Sequence, residues 1–272
     1  MGVARASLYA VLKRKERDKA ILAKILRVLD ARPYRRMSQL QDEIGDSTKV
    51  IRRVMKKYGI LKRRRKKWKN SKENKKTHAA PNLWKGRCPL APNAVWAGDF
   101  TEILFHGTKI YLATVIDVFT REIVGWSIGR THDTDLILRA MEDAKEKCHG
   151  RTSELFHSDQ GSEYGSRRFR EWLVIHRITQ SQSVRASPWQ NGHQESWYGR
   201  LKGGLGDVNR FLNSDDVHDA IAEEILLYNT RWTHGTLRMS PKAFHDLWER
   251  ETPLARMVLA QKSRGKTRVK TV

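Results

Sequence analysis

Cysteine is nearly absent from this 272-residue chain: Cys88 and Cys148 are the only two, far apart and outside any CxxC or clustered-histidine spacing. That excludes a disulfide framework and a cysteine-based structural zinc site, and the expectation is two ordinary reduced thiols. No run of 18 or more apolar residues occurs, and the N-terminus lacks the charged, apolar and small-residue order of a signal peptide. A soluble, cytoplasmic protein is therefore expected. Acid is also in short supply, with 30 Asp and Glu against 53 Lys and Arg, a formal charge of +23. The deficit is local. Residues 1–87 hold 28 basic and 7 acidic residues, whereas residues 88–272 hold 25 and 23. Contact with a polyanion is expected mainly through the N-terminal third. Nucleic acid fits better than an anionic membrane, which usually also needs apolar insertion or lipidation. What the chain does have is 39% hydrophobic residues over its length, enough for a sizeable core in one large domain with smaller attachments.

Within the basic third, the opening residues 1–9 read as the end of a helix-turn-helix whose earlier helices are missing. Ile21, Leu22, Ile25, Leu26 and Leu29 then form a helical stripe, and Ser38 begins a short segment with Leu40 and Ile44. Ser47 can cap a third helix with Val50, Ile51, Val54, Met55 and Tyr58 on one face, Arg52, Arg53, Lys56 and Lys57 on the other, and Gly59 as its stop. Three short helices with a cationic last member describe a helix-turn-helix that can lay its third helix against DNA. The run from Lys62 to Lys76, including Arg63, Arg64, Arg65, Lys66 and Lys67, has Glu73 as its only acid. It cannot bury itself and reads as an arm that follows phosphates. The expected division is a DNA-binding region over 1–60, a basic arm over 61–91, a catalytic core over 92–206 and a helical extension with a basic tail over 207–272.

After Pro92 the texture becomes that of strands. Residues 95–105, 108–116 and 123–128 are rich in Val, Ile, Thr and aromatics and read as three successive antiparallel strands. A helix from Asp133 or Thr134 to Cys148, a strand over 155–157, a helix over 167–176, a strand over 178–181 and a helix over 191–201 follow. That order predicts an α/β fold, a mixed five-strand sheet flanked by helices. Ser214-Asp215-Asp216 opens a capped amphipathic helix, and a frayed basic tail is expected from Gln261.

Three carboxylates carry the chemistry. Asp99 lies on the first strand, Asp159 just past the fourth and Glu195 on the following helix, and together they suit a hard cation such as Mg²⁺ working beside phosphate. Glu102 and Asp117 compete for the role of Asp99, although Asp117 reads better as a cap on the turn before Thr120-Arg121. Asp159 followed by Gln160-Gly161 also fits a simple Asx-turn. Lys202, seven residues after Glu195, shares its helical face and can hold a phosphate. Gln190, Asn191 and Gln194 sit where a breaker-rich loop can bring them to DNA. Trp189 reads as a packed ring or as a platform for an unpaired base. His157 and His193 read as hydrogen-bonding scaffold or as proton shuttles.

These residues resemble a known family. Trp96-Ala97-Gly98-Asp99-Phe100-Thr101, the stretch 116–126, His157-Ser158-Asp159-Gln160-Gly161-Ser162-Glu163-Tyr164 and the stretch 187–196 are similar to the catalytic domain of the retroviral-integrase superfamily. The nearer likeness is to the second-frame (OrfB-type) transposases of bacterial two-frame insertion sequences. Stretches 228–234 and 237–244 resemble the family's closing segment. The resemblance implies a ribonuclease-H-like fold preceded by a small all-α helix-turn-helix domain. It implies Asp99, Asp159 and Glu195 as the catalytic, metal-binding triad and Lys202 as the accompanying cation. Two Mg²⁺ ions, with Mn²⁺ able to substitute, would serve hydrolytic nicking at an element end and attack of the freed 3′-OH on another phosphodiester. The implied partners are double-stranded DNA at element ends and target, further copies of the chain in a synaptic complex, and fusion to or pairing with an upstream-frame DNA-binding protein. A bacterial cytoplasmic protein, nucleoid-associated when bound, would follow. The rival readings are an inactive DNA-binding regulator derived from a transposase and a structure-specific nuclease of the same fold. The setting Gly98-Asp99-Phe100 departs from the usual pattern, and Gly203-Gly204 is expected to shorten or loosen the third acid's helix.

Overall fold

The computed structural model describes residues 5–32, 35–60, 80–84, 88–183 and 192–263. It divides into two compact units, one built on the N-terminal helices and one on the sheet. In the first, helices α1 (Arg5–Ala31), α2 (Met37–Ile44) and α3 (Thr48–Lys57) enclose Ile21, Ile25, Leu40, Ile44, Ile51, Val54 and Met55. Of the residues read as a separate opening motif, Arg5–Tyr9 belong to α1, which runs unbroken through the Ile21–Leu29 stripe, and residues 1–4 lie outside the described residues. Leu26 and Tyr58, expected on buried faces, are 51% and 36% exposed. Ser47 caps α3 by accepting from the Val50 N–H, and Gly59 follows the helix at φ 67°.

Asp18 of α1 is the polar centre of this unit. Its side chain is 1% exposed and takes Arg53 Nη2 at 2.6 Å and Lys57 Nζ at 2.8 Å. Hydrogen bonding from Lys57 and the charge of both cations hold its carboxyl below the ordinary range against the cost of burial. Half of the cationic face assigned to α3 therefore clamps α3 onto α1.

The second unit contains a five-strand sheet in the order β3-β2-β1-β4-β5. Strands β1 (Val95–Phe105), β2 (Thr108–Asp117) and β3 (Ile123–Gly129) form an antiparallel meander. His106 and Gly107, both at positive φ, make the two-residue turn between β1 and β2 that matches the strands' twist. Strands β4 (Leu155–Ser158) and β5 (Thr179–Gln182) add in parallel beyond β1. Parallel pairing requires crossovers, supplied by α4 (Thr134–Lys147) and α5 (Arg167–Ile175). Asp133 and Ser166 cap these helices. Trp96, Ala113, Val115, Val124, Leu136, Ile137, Ala140, Met141, Phe156 and Phe169 form the core between sheet and helices. This is the ribonuclease-H-like arrangement.

Helix α6 (Gly192–Leu205) passes through Gly203 and Gly204 and stops before Gly206 at φ 69°. The expected shortening at the paired glycines does not occur: α6 continues through Gly203 and Gly204 to Leu205. A single 3-10 turn, Val208–Arg210, leads to α7 (Ser214–Thr230). Asn213, one residue before the expected opening, caps α7 in a box with Asp216. Asn229 of α7 bonds both the N–H and the carbonyl of Ile123, docking α7 on the edge of β3. Helix α8 (Pro241–Arg250) starts with Ser240 as cap and proline in its first turn, and α9 (Pro253–Ser263) extends into the expected tail. Phe119, Leu237, Phe244, Leu259 and Ala260 form a satellite core there. Among the described residues no helix is long and apolar enough to cross a membrane.

Candidate active site

The register of the sheet brings the first two acids together. Ala97 of β1 pairs with His157 of the parallel β4, so Asp99, two residues further along β1, and Asp159, just past the end of β4, lie at the same end of that pairing. Asp99 faces Thr114 across the β1–β2 ladder. Thr114 is in turn the seat of α6: its hydroxyl donates to Gln194 Oε1 at 2.9 Å and lies 2.8 Å from Tyr198 Oη. Gln194 Nε2 donates to the Ala97 and Thr114 carbonyls, and the Tyr198 hydroxyl donates to the Asp99 carbonyl. Helix α6 is thus bolted over β1 and β2, with Glu195 exposed in its first turn beside the anchoring Gln194.

Gln194 corrects one expectation. It is fully buried and spends its amide on strand carbonyls, so it does not face DNA. Residues 184–191 lie outside the described residues, and with them Gln190, Asn191 and Trp189.

Three acids approach one another without a counter-cation. Among the described residues, no Lys, Arg or His forms an ion pair with Asp99, Asp159 or Glu195, although the chain carries a net charge of +23. Burial raises the Asp99 pKa to about 8, with further upward pushes from Asp159, Glu195 and Glu163 that outweigh the hydrogen bond from the Phe100 N–H. Asp159 accepts from the Gly161 N–H at 2.9 Å, so the Asx-turn exists and also orients this carboxylate. The Tyr164 hydroxyl is buried in the field of Asp99 and Asp159 with no hydrogen-bond partner. Among the described residues, no three His, Cys, Asp or Glu side chains already converge as a metal cage. Mutual repulsion of like charges opposes such convergence in the absence of a cation. The donor chemistry nonetheless fits a hard divalent ion: carboxylate oxygens only, uncompensated, at the end of a rigid sheet.

The setting of Asp99 has a steric cause. A Cβ at Gly98 would stand 2.3 Å from the Phe156 ring, so glycine there lets β4's core aromatic pack under the strand that carries the acid. Asp117 is the turn cap: its oxygens accept from the Phe119 and Asn93 N–H groups and the Thr120 hydroxyl, and burial raises its pKa to about 6. Glu102 pairs with Lys109 on the neighbouring strand. Both histidines are scaffold. His157 is buried against Ser181 and lowered by burial to about 4. His193 meets Arg121 Nη1 at 2.7 Å and is lowered to about 3 by burial and by that guanidinium.

The cations predicted to meet DNA divide into three sets. Arg52 and Lys56 are exposed on α3, whereas Arg53 and Lys57 are committed to Asp18. Arg63, Arg64, Arg65, Lys66 and Lys67 lie outside the described residues. Lys202 sits in the last turn of α6, about two turns beyond Glu195. A groove of about 560 Å³ lined by Ala10, Lys13, Arg14, Arg17, Val50 and Arg53 adds cations that the sequence reading passed over. Their signal was the basic cluster from Lys13 to Arg17, broken only by Glu16. Gln194 and Tyr198 were also missed as anchors; their four-residue spacing, which puts both on one helix face, was the available clue.

Comparison with known proteins places this arrangement. The integrase core domain family matches residues 89–188, and a second integrase core domain family matches residues 176–241. Over 205 residues the chain is 34% identical to the transposase for insertion sequence element IS904 of Lactococcus lactis subsp. lactis (strain IL1403), which spans 74% of this chain and 81% of that protein. Over 140 residues it is 33% identical to the putative transposase InsK for insertion sequence element IS150 of Escherichia coli (strain K12), spanning 52% of this chain and half of that protein. In fold it is similar to a chain of the simian T-cell lymphotropic virus intasome solved in complex with PP2A regulatory subunit B56 gamma. The TM-score is 0.53 at 19% identity, over 66% of this chain and 62% of that one. The chain belongs to the insertion-sequence transposases, enzymes of the DDE transposase and integrase class built on an integrase core domain.

Proposed function

We propose that this chain cleaves DNA at the ends of its insertion element and joins the freed 3′ end to another phosphodiester, with Asp99, Asp159 and Glu195 as its catalytic, metal-binding acids. The observation that supports the reading is that Asp99 on β1, Asp159 just past β4 and Glu195 beside the Gln194 anchor have no ion-paired cation among the described residues of a strongly basic chain. These residues would hold Mg²⁺, two ions by the chemistry of in-line phosphoryl transfer, with Mn²⁺ able to substitute; bound there, the metal polarises the phosphodiester and activates the attacking hydroxyl. In cleavage a water oxygen bonds to phosphorus while the bond to the 3′ oxygen breaks and that oxygen gains a proton. In joining the freed 3′-OH gives up its proton as its oxygen bonds to a target phosphorus, and the target's own 3′ oxygen leaves and gains a proton.

The chain's own groups prepare these steps. Gln194 and Tyr198 fix α6 so that Glu195 keeps its place relative to Asp99. The Asx-turn holds Asp159 with one oxygen tied and the other unengaged by it. Lys202 is assigned to hold a phosphate further along α6. Arg52, Lys56, the groove cations Lys13, Arg14 and Arg17, and the arm Arg63, Arg64, Arg65, Lys66 and Lys67 are assigned to the DNA backbone, Arg53 and Lys57 contributing only beyond their hold on Asp18. Gln190 and Asn191 are assigned to DNA near the acids. The helical unit is read as a helix-turn-helix module, and the protein as a cytoplasmic one acting in a multi-copy complex on two element ends, joined to or paired with an upstream-frame DNA-binding partner.

The test is a joining assay with a pre-cleaved 3′-OH end in Mg²⁺. Branched product from the wild type and none from Asp159→Asn is the expected result. Metal-dependent cutting without joining would make the protein a structure-specific nuclease, and DNA binding with neither step would make it a regulator.

A further inference from the structure

A fourth acid stands at the same edge of the sheet. Glu163 is 8% exposed, an unusual burial for a carboxylate. Its Oε1 lies 2.2 Å from the point where a Cβ on Gly161 would stand, and Asp159 Oδ1 lies 3.1 Å from the same point, so the two carboxylates crowd one backbone position that only glycine leaves open. Glu163 Oε2 accepts from the Ser162 hydroxyl at 3.1 Å, and Oε1 meets His132 Nε2 at 3.3 Å. His132 is held by the ring of Phe100, edge-on at 4.3 Å, and by Tyr111 at 5.5 Å. Phe100 directly follows Asp99. The Thr134 hydroxyl and the Ser166 N–H both donate to the Glu163 carbonyl, tying its backbone to the starts of α4 and α5. Glu163 is therefore fixed from both sides, close to two of the three acids, and among the described residues its ion-pair contact is with His132.

We infer that Glu163 is an affinity-setting residue of the metal site: clasped by His132, its carboxylate adds negative potential at the Asp99–Asp159 edge without replacing any of the three acids. The inference rests on the reading of Asp99, Asp159 and Glu195 as the metal site. Its physical basis is that a buried negative charge beside a divalent ion interacts across a medium that screens far less than water. A purely structural acid would act through its hydrogen bonds, which glutamine of the same size can keep.

The deciding measurement is the binding of Mn²⁺ alone to the full chain, read by electron paramagnetic resonance of the free ion, which needs no turnover. Glu163→Gln is expected to weaken binding about three- to tenfold while the melting temperature stays that of wild type. Unchanged affinity in Glu163→Gln overturns the inference. Glu163→Asp keeps the charge and is expected to bind within about twofold of wild type; if it loses as much affinity as Glu163→Gln, shape and not charge is responsible and the inference fails. Asp159→Asn separates this from the underlying reading: wild-type Mn²⁺ binding in that variant removes the metal site itself. Loss in Asp159→Asn with no change in Glu163→Gln removes only the role of Glu163.

Discussion

The helical unit and the sheet unit treat charge in opposite ways. In the helical unit a single buried acid, Asp18, is surrounded by two cations and turns electrostatics into packing between α1 and α3. In the sheet unit Asp159 and Glu195 act on Asp99 with no ion-paired cation among the described residues, and Asp99 is pushed up to about 8. Asp18 would be costly to leave unpaired, and the fold pairs it. Asp159 and Glu195 are exposed, and Asp99 is pushed toward its neutral form, as the proposed cation site would require.

The most direct way to break this contrast is to neutralise the uncompensated acids. Asp99→Asn, Asp159→Asn and Glu195→Gln are each expected to lower strand joining in Mg²⁺ by about three orders of magnitude while leaving DNA affinity within about twofold of wild type. Gel assays of joining and of end binding on the same preparations check both halves. Full joining in any one variant would remove that residue from the site and weaken the contrast.

The second prediction uses the sign of the Asp99 shift. Its carboxyl keeps a proton in the folded state up to about pH 8, whereas an unfolded aspartate loses it near 4. Between these values the unfolded state binds fewer protons, so stability falls as pH rises. Thermal melts in chelator should show wild type losing several degrees relative to Asp99→Asn from pH 4 to 8, and Mg²⁺ should restore them at the upper end. Parallel curves for the two proteins would mean that Asp99 is not held in such a field.

The anchor of α6 comes next in size. Gln194→Ala removes the bonds to the Ala97 and Thr114 carbonyls and to the Thr114 hydroxyl, which should cost about 1–2 kcal/mol in a melt. Because Glu195 is adjacent, joining should fall further than stability alone explains. Equal losses in both would make Gln194 a core residue and nothing more.

The order of these effects reflects what a sequence can and cannot display. The acids of the proposed site stood out because metal-assisted phosphoryl transfer would restrict the side chains it can use, and the strands were legible because β-branched and aromatic runs alternate with turn residues. The sheet's parallel half followed from strands alternating with helices. Gln194 was misread because one amide serves equally well on a base or on a strand carbonyl, and only the seating of α6 decides between them. Gly203-Gly204 was misread because helix propensity is a weak guide: a glycine costs about 1 kcal/mol and does not by itself end a helix. Arg53 and Lys57 looked identical to Arg52 and Lys56 on a helical wheel, because their partner Asp18 lies 35 and 39 residues away in α1.

Those four cations offer the finest test of the comparison. Arg52 and Lys56 are exposed on α3, while Arg53 and Lys57 are engaged by Asp18. Arg52→Ala and Lys56→Ala should each weaken end binding by about 1 kcal/mol, roughly fivefold, and each lost phosphate contact should reduce the slope of log affinity against log salt by about 0.9. Stability should hardly change. Arg53→Ala and Lys57→Ala should lower the melting temperature of the helical unit, because each leaves Asp18 buried with half its compensation. Asp18→Asn in the same background should recover part of that loss, since it removes the charge that the missing cation had balanced. Titrations across a salt series, set beside thermal melts of the same variants, separate the two pairs. If Arg53→Ala lowers the salt slope as much as Arg52→Ala and leaves the melt untouched, the pairing with Asp18 gives way to DNA. The helical unit would then, like the sheet unit, hold its charges in reserve for a ligand.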